Sequence, residues 1–406
     1  MMLIAFHLIQ NHAPSNLNRD DNGDPKDTII GGVRRSRISS QAEKRSMRWH
    51  QPFREAFSAD VLATRTQLLP EWVRQALQQH HEVDAEAEQQ IVRFVESLGK
   101  KETKSAGADG SEGEEKPKGK KGKGTDTQKN EAHKTAQLMF LSTGEVERLS
   151  SWLVEKYYEL GATGFAGLTS NDLIAEIKKK GGLFEPHSVD IAMFGRMTTS
   201  SPFKDIEAAV QVAHAFSTHK VETEYDFFTA VDDRSGESGA GMLGEVAFNS
   251  ATYYKYINIH WEGLLKNLHN DYELATKAVL ALLQAAMTAI PSGKQNSFAA
   301  HNLADFILVE VLDRTIPVSY ANAFVQPIQL NRAHHYIPQP QEPKSLLTLS
   351  IQALLYYANQ IQTKYELQGQ RACFTLPALE TTPIQAFETV SSLGNWLRTM
   401  LPQREV

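Results

Sequence analysis

Residues 1–12 read MMLIAFHLIQNH, and the weak alternation of large apolar residues over positions 2–10 predicts a buried first strand. The stretch lacks the positively charged region of a secretory signal peptide. No run of about 18 or more apolar residues occurs, so we expect no membrane-spanning helix. The single cysteine, Cys373, excludes an internal disulfide and fits a reducing compartment. We therefore expect a cytoplasmic protein with no membrane partner.

After this strand, the spacing of apolar residues follows the helical period of about 3.6 residues in some segments and the strand period of two in others. We predict helices over residues 58–98, 135–182, 271–289 and 345–366, with a last helix after Pro383, and strands over 188–197, 208–216, 252–261 and 304–312. This order indicates an α+β fold with helices on one face of an antiparallel sheet. A ferredoxin-like or RRM-like core with large insertions fits it.

Two segments have loop-like composition. Residues 99–134 contain no Leu, Ile, Val, Met, Phe, Tyr or Trp, which predicts a disordered insertion. Their ten lysines face seven acids, so a solvated insertion is preferred to a nucleic-acid-binding tail. Residues 221–250 are rich in Gly, Ser and acids at their centre, which predicts a long protruding loop.

The stretch RRSRISSQAEKRSMR, residues 34–48, gathers six Arg or Lys and one acid in a chain whose net charge is −6. Ser40 and Glu43 have capping-box spacing, which places a helix start at Ser39–Ser40. Gln41, Lys44 and Arg48 then share one face of that helix. The pattern favours phosphate binding over a solvated basic helix, and the loop before it adds further cations.

The remaining motifs give weaker support for a binding or catalytic site. The acidic residues 20–24 resemble a calcium loop but fail at Pro25 and Gly31. Gly293-Lys294 fails as a nucleotide P-loop, although Lys294 could still touch a phosphate. Arg196 and Met197 could contact a nucleic-acid backbone and wedge a base, and a plain strand end is an equal alternative. Asp232 and Asp233 are weak candidates for a divalent metal.

Six separated blocks occur in an order that resembles one family. They are HAPSNLNRDDNGDPKD, GGVRRSRISSQAEKRSMR, VDIAMFGRMTTS, AHAFSTH, FFTAVDD and PSGKQNSFAAHN. Together they resemble the CRISPR RNA-binding backbone subunit (CasC family) of the type I-E Cascade complex. The resemblance covers most of the chain, is weak over residues 58–182, and excludes the 99–134 insertion.

The resemblance implies a right-hand shape with three parts. The RRM-like palm would comprise residues 1–57, 183–220 and 252–406, the helical fingers residues 58–182, and the thumb residues 221–251. Family members line up along a guide RNA in a helical filament, and each thumb displaces a base near its neighbour.

The resemblance also implies a non-catalytic RNA-binding site without metal or other cofactor. The positions matched to RNA contacts are Arg19, Lys26, Ser39, Gln41, Lys44, Arg48, Met197, Thr229 and Leu243, with Arg196 and Lys294 as further candidates. Phosphate contacts carry no sequence information, which suits a protein that must accept any guide.

Expected partners are the CRISPR guide RNA, target DNA reached through guide pairing, and further copies of the chain. The other Cascade subunits expected are a guide-processing endoribonuclease, a five-prime-end subunit, and large and small subunits. One alternative is a metal-dependent RNA nuclease that uses Asp232 or Asp233. Another is a protein scaffold that binds no nucleic acid.

Overall fold

The computed structural model describes residues 1–98, 134–135, 137–179, 185–197, 203–231, 240–313, 316–330, 332–337, 345–378 and 384–403. The chain divides into two compact units. Unit 1 comprises Met1–Leu62, His187–Arg196 and Ile206–Val406, and unit 2 comprises Ala63–Pro186 and Met197–Asp205. The 99–134 insertion lies almost wholly outside the described residues, so its predicted disorder stays a prediction.

The strands, in chain order, are β1 (Met2–Ser15), β2 (Asp27–Ile30), β3 (Val33–Ile38), β4 (Ala63–Thr66), β5 (Met139–Ser142), β6 (Val210–Val212), β7 (Ala215–Ser217), β8 (Glu224–Val231), β9 (Ala240–His260), β10 (Phe306–Asp313), β11 (Gly369–Thr375) and β12 (Gln385–Phe387).

The α-helices are α1 (Ser40–Trp49), α2 (Gln51–Glu55), α3 (Leu69–His80), α4 (Ala85–Ser97), α5 (Thr143–Ala166), α6 (Ser170–Lys179), α7 (Val189–Phe194), α8 (Trp261–Asn267), α9 (Tyr272–Thr288), α10 (Gln295–Phe298), α11 (Leu346–Lys364) and α12 (Val390–Met400). Short 3₁₀ helices cover Ala59–Val61 and Ala321–Phe324.

Unit 1 is built on one large sheet with β1 near its centre. The strand order is β12-β11-β10-β1-β9-β7-β3-β2, and β6 and β8 also pair with β9. Strand β1 lies antiparallel between β10 and β9, with Phe6 opposite Val309 and Ile257. The nearly continuous burial of β1 explains why its sequence alternates only weakly, since both faces of the sheet are covered.

Helices pack on both faces of this sheet. Ile4, Phe6 and Leu8 face a core completed by α8, α9 and α12. Ala5 and Ile9 face the opposite core, which α11 completes. The predicted α+β class is confirmed, but the placement of helices on one face was wrong. The sheet is also mixed, because β11 and β12 are parallel.

Unit 2 contains the 63–186 helices and a small two-stranded sheet. Helices α3, α4 and α5 enclose an apolar core that includes Leu77, Ile91 and Trp152. Strands β4 and β5 pair antiparallel, which the uniform helical prediction over 58–98 and 135–182 missed. Helix α5 begins with a complete capping box between Ser142 and Glu145.

Three predicted segments have a different structure. Residues 189–194 form helix α7, not a strand; the helix ends at Gly195, whose φ of 76° suits glycine. The 221–250 segment is mostly a β8–β9 ribbon rather than a loop. The 13–35 region, whose Asn, Asp, Gly and Pro content predicts a long loop, contains the β2–β3 hairpin; Gly31 and Gly32, with φ values of 60° and 78°, form the two-residue turn of that hairpin. The strands near 208–216 and 304–312 and the helices near 271–289 and 345–366 are confirmed.

A charged network is buried within the sheet of unit 1. Glu310 accepts a hydrogen bond from Tyr320 at 3.0 Å and pairs with Arg371 Nε at 3.0 Å and with His7 Nε2 at 3.3 Å. Burial alone would raise the pKa of Glu310, but its hydrogen bonds and the charges of His7 and Arg371 lower that pKa overall. The carboxylate therefore holds three elements together across the core.

We expect Glu310→Gln to lower the free energy of unfolding by roughly 3 kcal/mol or more, because Arg371 would lose its buried counter-charge. The wild-type carboxylate stabilises the fold above its ordinary pKa of 4.5, and this contribution is lost as the pH falls through the lower folded-state pKa. Urea unfolding at neutral and acidic pH measures both effects. Glu222→Gln, which removes an exposed ion pair with Lys220, is the control and should change little. Equal stability of the Glu310 and Glu222 variants would contradict the assignment.

Candidate nucleic-acid interface

The start of α1 is tied to the preceding loop. Ser39 is the N-cap residue, and its Oγ accepts a hydrogen bond from the Ala42 amide at 3.3 Å. The Ser39 amide donates to Asn18 Oδ1 at 2.8 Å. The helix start was predicted correctly, but the Ser40–Glu43 capping box was wrong, since Ser39 caps the helix. Ser39 is buried and its side chain serves the helix start.

Glu43 instead fixes α1 to the sheet. Its carboxylate lies 3.0 Å from Lys255 Nζ on β9, and both side chains are buried. Met47, one turn later, packs into the core. A buried ion pair and an apolar anchor on the same helix set the rotation of α1, and hence which of its residues face solvent.

Arg48 is used internally. Its Nη2 and Nε donate to Asp190 Oδ2 at 2.8 and 3.1 Å, and Ser188 Oγ donates to the other oxygen of that carboxylate. Only 9% of Arg48 is exposed. Sequence spacing placed Arg48 with Gln41 and Lys44 on an RNA-binding face, but the structure directs it to α7. Arg48 thus serves the fold through Asp190, and its expected RNA contact stays a prediction.

The arginines of β3 are also engaged. Arg34 pairs with Asp27 at 3.2 Å, and Arg37 contacts His214 at 2.8 Å. Arg35 is fully buried and donates to the carbonyls of Ser217 and Phe324; burial lowers its pKa to about 10. Much of the positive charge in residues 34–48 therefore stabilises the fold.

Gln41 and Lys44 remain available on α1. Gln41 is exposed and Lys44 is partly exposed. Within the part of the chain that the structure describes, Lys44 has no carboxylate partner, and burial lowers its pKa. A partly buried ammonium without a counter-ion favours an anionic ligand, because a nearby negative charge would restore its pKa.

Arg19 and Lys26 lie on the loop that Asn18 anchors to α1. Arg19 is exposed and its backbone bridges to Pro25. Lys26 is partly exposed. The pKa of His214 is lowered by burial and then by the charges of Arg37 and Lys26, so these cations lie near one another. Lys26 and Arg37 therefore form a positive cluster around His214, beside β3.

Lys294 lies in a turn that packs against the same loop. A Cβ at Gly293 would lie 2.3 Å from the Leu17 carbonyl oxygen, so the close approach requires glycine there. The backbone of Lys294 has the left-handed conformation, with φ of 52°, and the residue is partly exposed. The structure thus brings the Lys294 turn beside the loop that carries Arg19.

Thr229 and Leu243 are direct cross-strand partners in the β8–β9 ribbon. Leu243 is 62% exposed, and Phe227, on the same face, is 65% exposed. The Phe228 ring covers Gly244, where a Cβ would lie 2.3 Å from it. The ribbon therefore presents an apolar face with Thr229 and Leu243 side by side.

Arg196 and Met197 differ from one another in exposure. Arg196 is buried, and its backbone exchanges two 2.9 Å hydrogen bonds with Ile206. Met197 is 91% exposed and belongs to unit 2. Arg196 is thus held within the fold and Met197 faces solvent, and the RNA contacts expected of both residues stay predictions.

Sequence reasoning missed an arginine–tryptophan cluster at the end of α1. Trp49, at the end of α1, is 53% exposed, and the guanidinium carbons of Arg54 and Arg45 lie 4.8 and 5.9 Å from its ring centroid. Trp49 and Arg45 line a groove of about 850 Å³ together with Arg19. The spacing of Arg45 and Trp49, four residues apart in a predicted helix, was the available signal.

Metal ligation has little support in the described residues. They contain no group of three or more His, Cys, Asp or Glu side chains suited to a metal ion. Asp232 and Asp233 lie outside the described residues. Asp20 Oδ1 accepts the amides of Asn22 and Asp24, so this carboxylate closes a turn. None of the described helices is long and apolar enough to cross a bilayer.

Comparisons with known proteins bear on the whole chain. A family model described as "CT1975-like protein" matches residues 4–397. No curated protein matches the sequence. A chain of a solved structure described as "CRISPR RNA-guided surveillance complex, pre-nicking" is 27% identical with a TM-score of 0.74, and the match covers 98% of this chain and 99% of that chain.

A chain of a second structure, described as "CRISPR RNA-guided surveillance complex", is 22% identical with a TM-score of 0.66, again over 98% and 99% of the two chains. At that identity the second match shows the fold alone. Because the family model spans nearly the entire sequence, the chain belongs to the CT1975-like protein family, and its fold is similar to that of subunits of CRISPR RNA-guided surveillance complexes.

Proposed function

We propose that this protein is a non-catalytic backbone subunit of a Cascade-type CRISPR surveillance complex and binds guide RNA along its phosphate backbone. The observation that carries the proposal is Lys44, which is partly buried and has no counter-ion among the described residues, on a helix whose Glu43 and Arg48 form buried ion pairs. Gln41 and Arg19 add exposed donors in the same unit. The 27% identity to a surveillance-complex chain over nearly full length supports the same role.

Within this proposal the protein is a type I-E subunit that acts in the cytoplasm and has an RRM-like palm, helical fingers and the β8–β9 ribbon as its thumb. Several copies line up along one guide, which pairs with target DNA. The endoribonuclease, five-prime-end, large and small subunits complete the complex. A head-to-tail interface of this kind propagates until other subunits cap it.

Lysine-to-alanine substitution at Lys44 tests the phosphate contact. We expect Lys44→Ala to weaken binding of a fluorescein-labelled single-stranded RNA and to reduce the slope of log K against log salt by about 0.7, since one phosphate contact is lost. Fluorescence anisotropy over a salt series measures both quantities.

Lys364→Ala is the matched control, because Lys364 is an exposed lysine at the end of α11 and its loss changes the net charge equally. Arg48→Ala gives a second contrast: it should lower thermal stability, because the buried Asp190 loses its ion pair with Arg48. An unchanged salt slope for Lys44→Ala, or the same reduction for Lys364→Ala, would count against the proposed contact.

The ribbon face is tested by self-association on RNA. We expect Leu243→Ser to reduce the number of copies bound per long guide RNA, because it removes exposed apolar surface opposite Thr229. Mass photometry of RNA-loaded particles gives the distribution. Met242→Ser is the matched control, since Met242 is equally apolar and exposed but points to the other face of the ribbon. Equal assembly of wild-type and Leu243→Ser protein would refute this role.

The absence of catalysis is also proposed and can be tested directly. We expect labelled RNA to stay intact when incubated with the protein and Mg²⁺ or Mn²⁺. Scission that requires the metal and disappears in Asp232→Ala or Asp233→Ala protein would replace the scaffold with the nuclease alternative.

A further inference from the structure

The groove beside α1 has three walls drawn from separate segments of unit 1. They are the 17–23 loop, one side of α1 with residue 51, and the 290–293 turn. The Asn18–Ser39 hydrogen bond joins the loop to α1, and the close approach of Gly293 to Leu17 joins the turn to the loop. His50 is further held to Thr288 at 2.8 Å. At about 850 Å³ the groove lies within the size range of small-ligand sites.

Trp49 is the large aromatic side chain of this groove. It is 53% exposed although it ends a helix whose Met47 is buried in the core. Arg54 lies within the usual range of a cation–π contact, and Arg45, at 5.9 Å, lies at its outer limit. Neither arginine has a carboxylate partner among the described residues. The ring and two unneutralised guanidinium groups thus form one surface.

The charges around the groove favour a particular ligand orientation. Arg19 lines it as a further cation, and Lys294 immediately follows its 290–293 wall. Asp20 and Asp21 also line it, and their negative charge disfavours a phosphate inside. Carboxylate oxygens accept hydrogen bonds from the exocyclic amines of bases. The groove therefore suits a base inside and phosphates at its cationic margin.

We infer that Trp49, flanked by Arg45 and Arg54, stacks one unpaired base of the bound single-stranded RNA. Aromatic rings and guanidinium planes are the groups on which proteins stack single-stranded bases without sequence preference. The inference rests on the proposed RNA binding and adds a base contact to the phosphate contacts. It also gives a reason for an exposed tryptophan next to Arg19.

The test compares Trp49→Ala and Trp49→Phe with wild-type protein in the RNA anisotropy assay. We expect Trp49→Ala to weaken binding roughly tenfold at every salt concentration without changing the salt slope, because stacking releases no counter-ions. Trp49→Phe should retain most of the affinity, since a ring remains. Tryptophan emission should fall on RNA addition in wild-type protein and fall less in Trp49→Phe protein.

Tyr365→Ala is the control, because Tyr365 is an exposed aromatic residue, at 71%, away from the groove. Wild-type affinity of Trp49→Ala protein, with Lys44→Ala still weakened, would overturn the stacking site and leave the proposed function intact. Wild-type RNA affinity in both the Trp49→Ala and the Lys44→Ala protein would overturn the stacking site and the proposed function together. Loss of RNA-free self-association in Trp49→Ala protein, with unchanged RNA affinity, would overturn the inference by marking a protein-docking surface.

Discussion

The buried ion pair between Glu43 and Lys255 determines how the candidate interface is presented. It joins α1 to β9, and β9 is itself paired with the central strand β1. Two charges buried at this depth must be paired, so the helix cannot rotate without leaving one of them unpaired. With Glu43 and Met47 directed inward, Gln41, Lys44, Arg45 and Trp49 keep access to solvent. The buried residues Glu43 and Met47 thus determine which residues of α1 form the candidate interface.

The positive charge of residues 34–48 is divided between the fold and the solvent-facing surface. An acidic chain that collects six cations in residues 34–48 suggested a phosphate-binding surface, yet several of those cations stabilise the fold. Arg35 ties β3 to backbone carbonyls, and Arg48 holds Asp190 of α7. Lys44 is left without a counter-ion in the described residues, with a pKa lowered by burial. The number of cations in residues 34–48 therefore overstates how many of them can bind phosphate. The cations without a carboxylate partner define the candidate binding surface.

The sequence predicted the elements with long apolar patterns and failed where tertiary contacts decide. Strand β1 and helices α9 and α11 were predicted well because long apolar patterns leave little choice. Residues 189–194 carry a mixed pattern, and the helix there is stabilised by burial and by the Asp190–Arg48 pair, which no local pattern reveals. The ribbon was taken for a loop because the Gly and Ser residues that follow β8 in the sequence mask the pairing of β8 with β9. Arg48 and Arg196 were predicted as RNA contacts, and the sequence could not show that both side chains are buried.

The central claim is that the solvent-facing side of α1 lies against RNA. Photocrosslinking of the purified protein to 4-thiouridine-substituted guide RNA, followed by mass spectrometry of the crosslinked peptides, measures this contact residue by residue. We expect crosslinks within residues 40–54 and on the loop that carries Arg19. Crosslinks confined to other segments, with α1 peptides recovered unmodified, would contradict the claim.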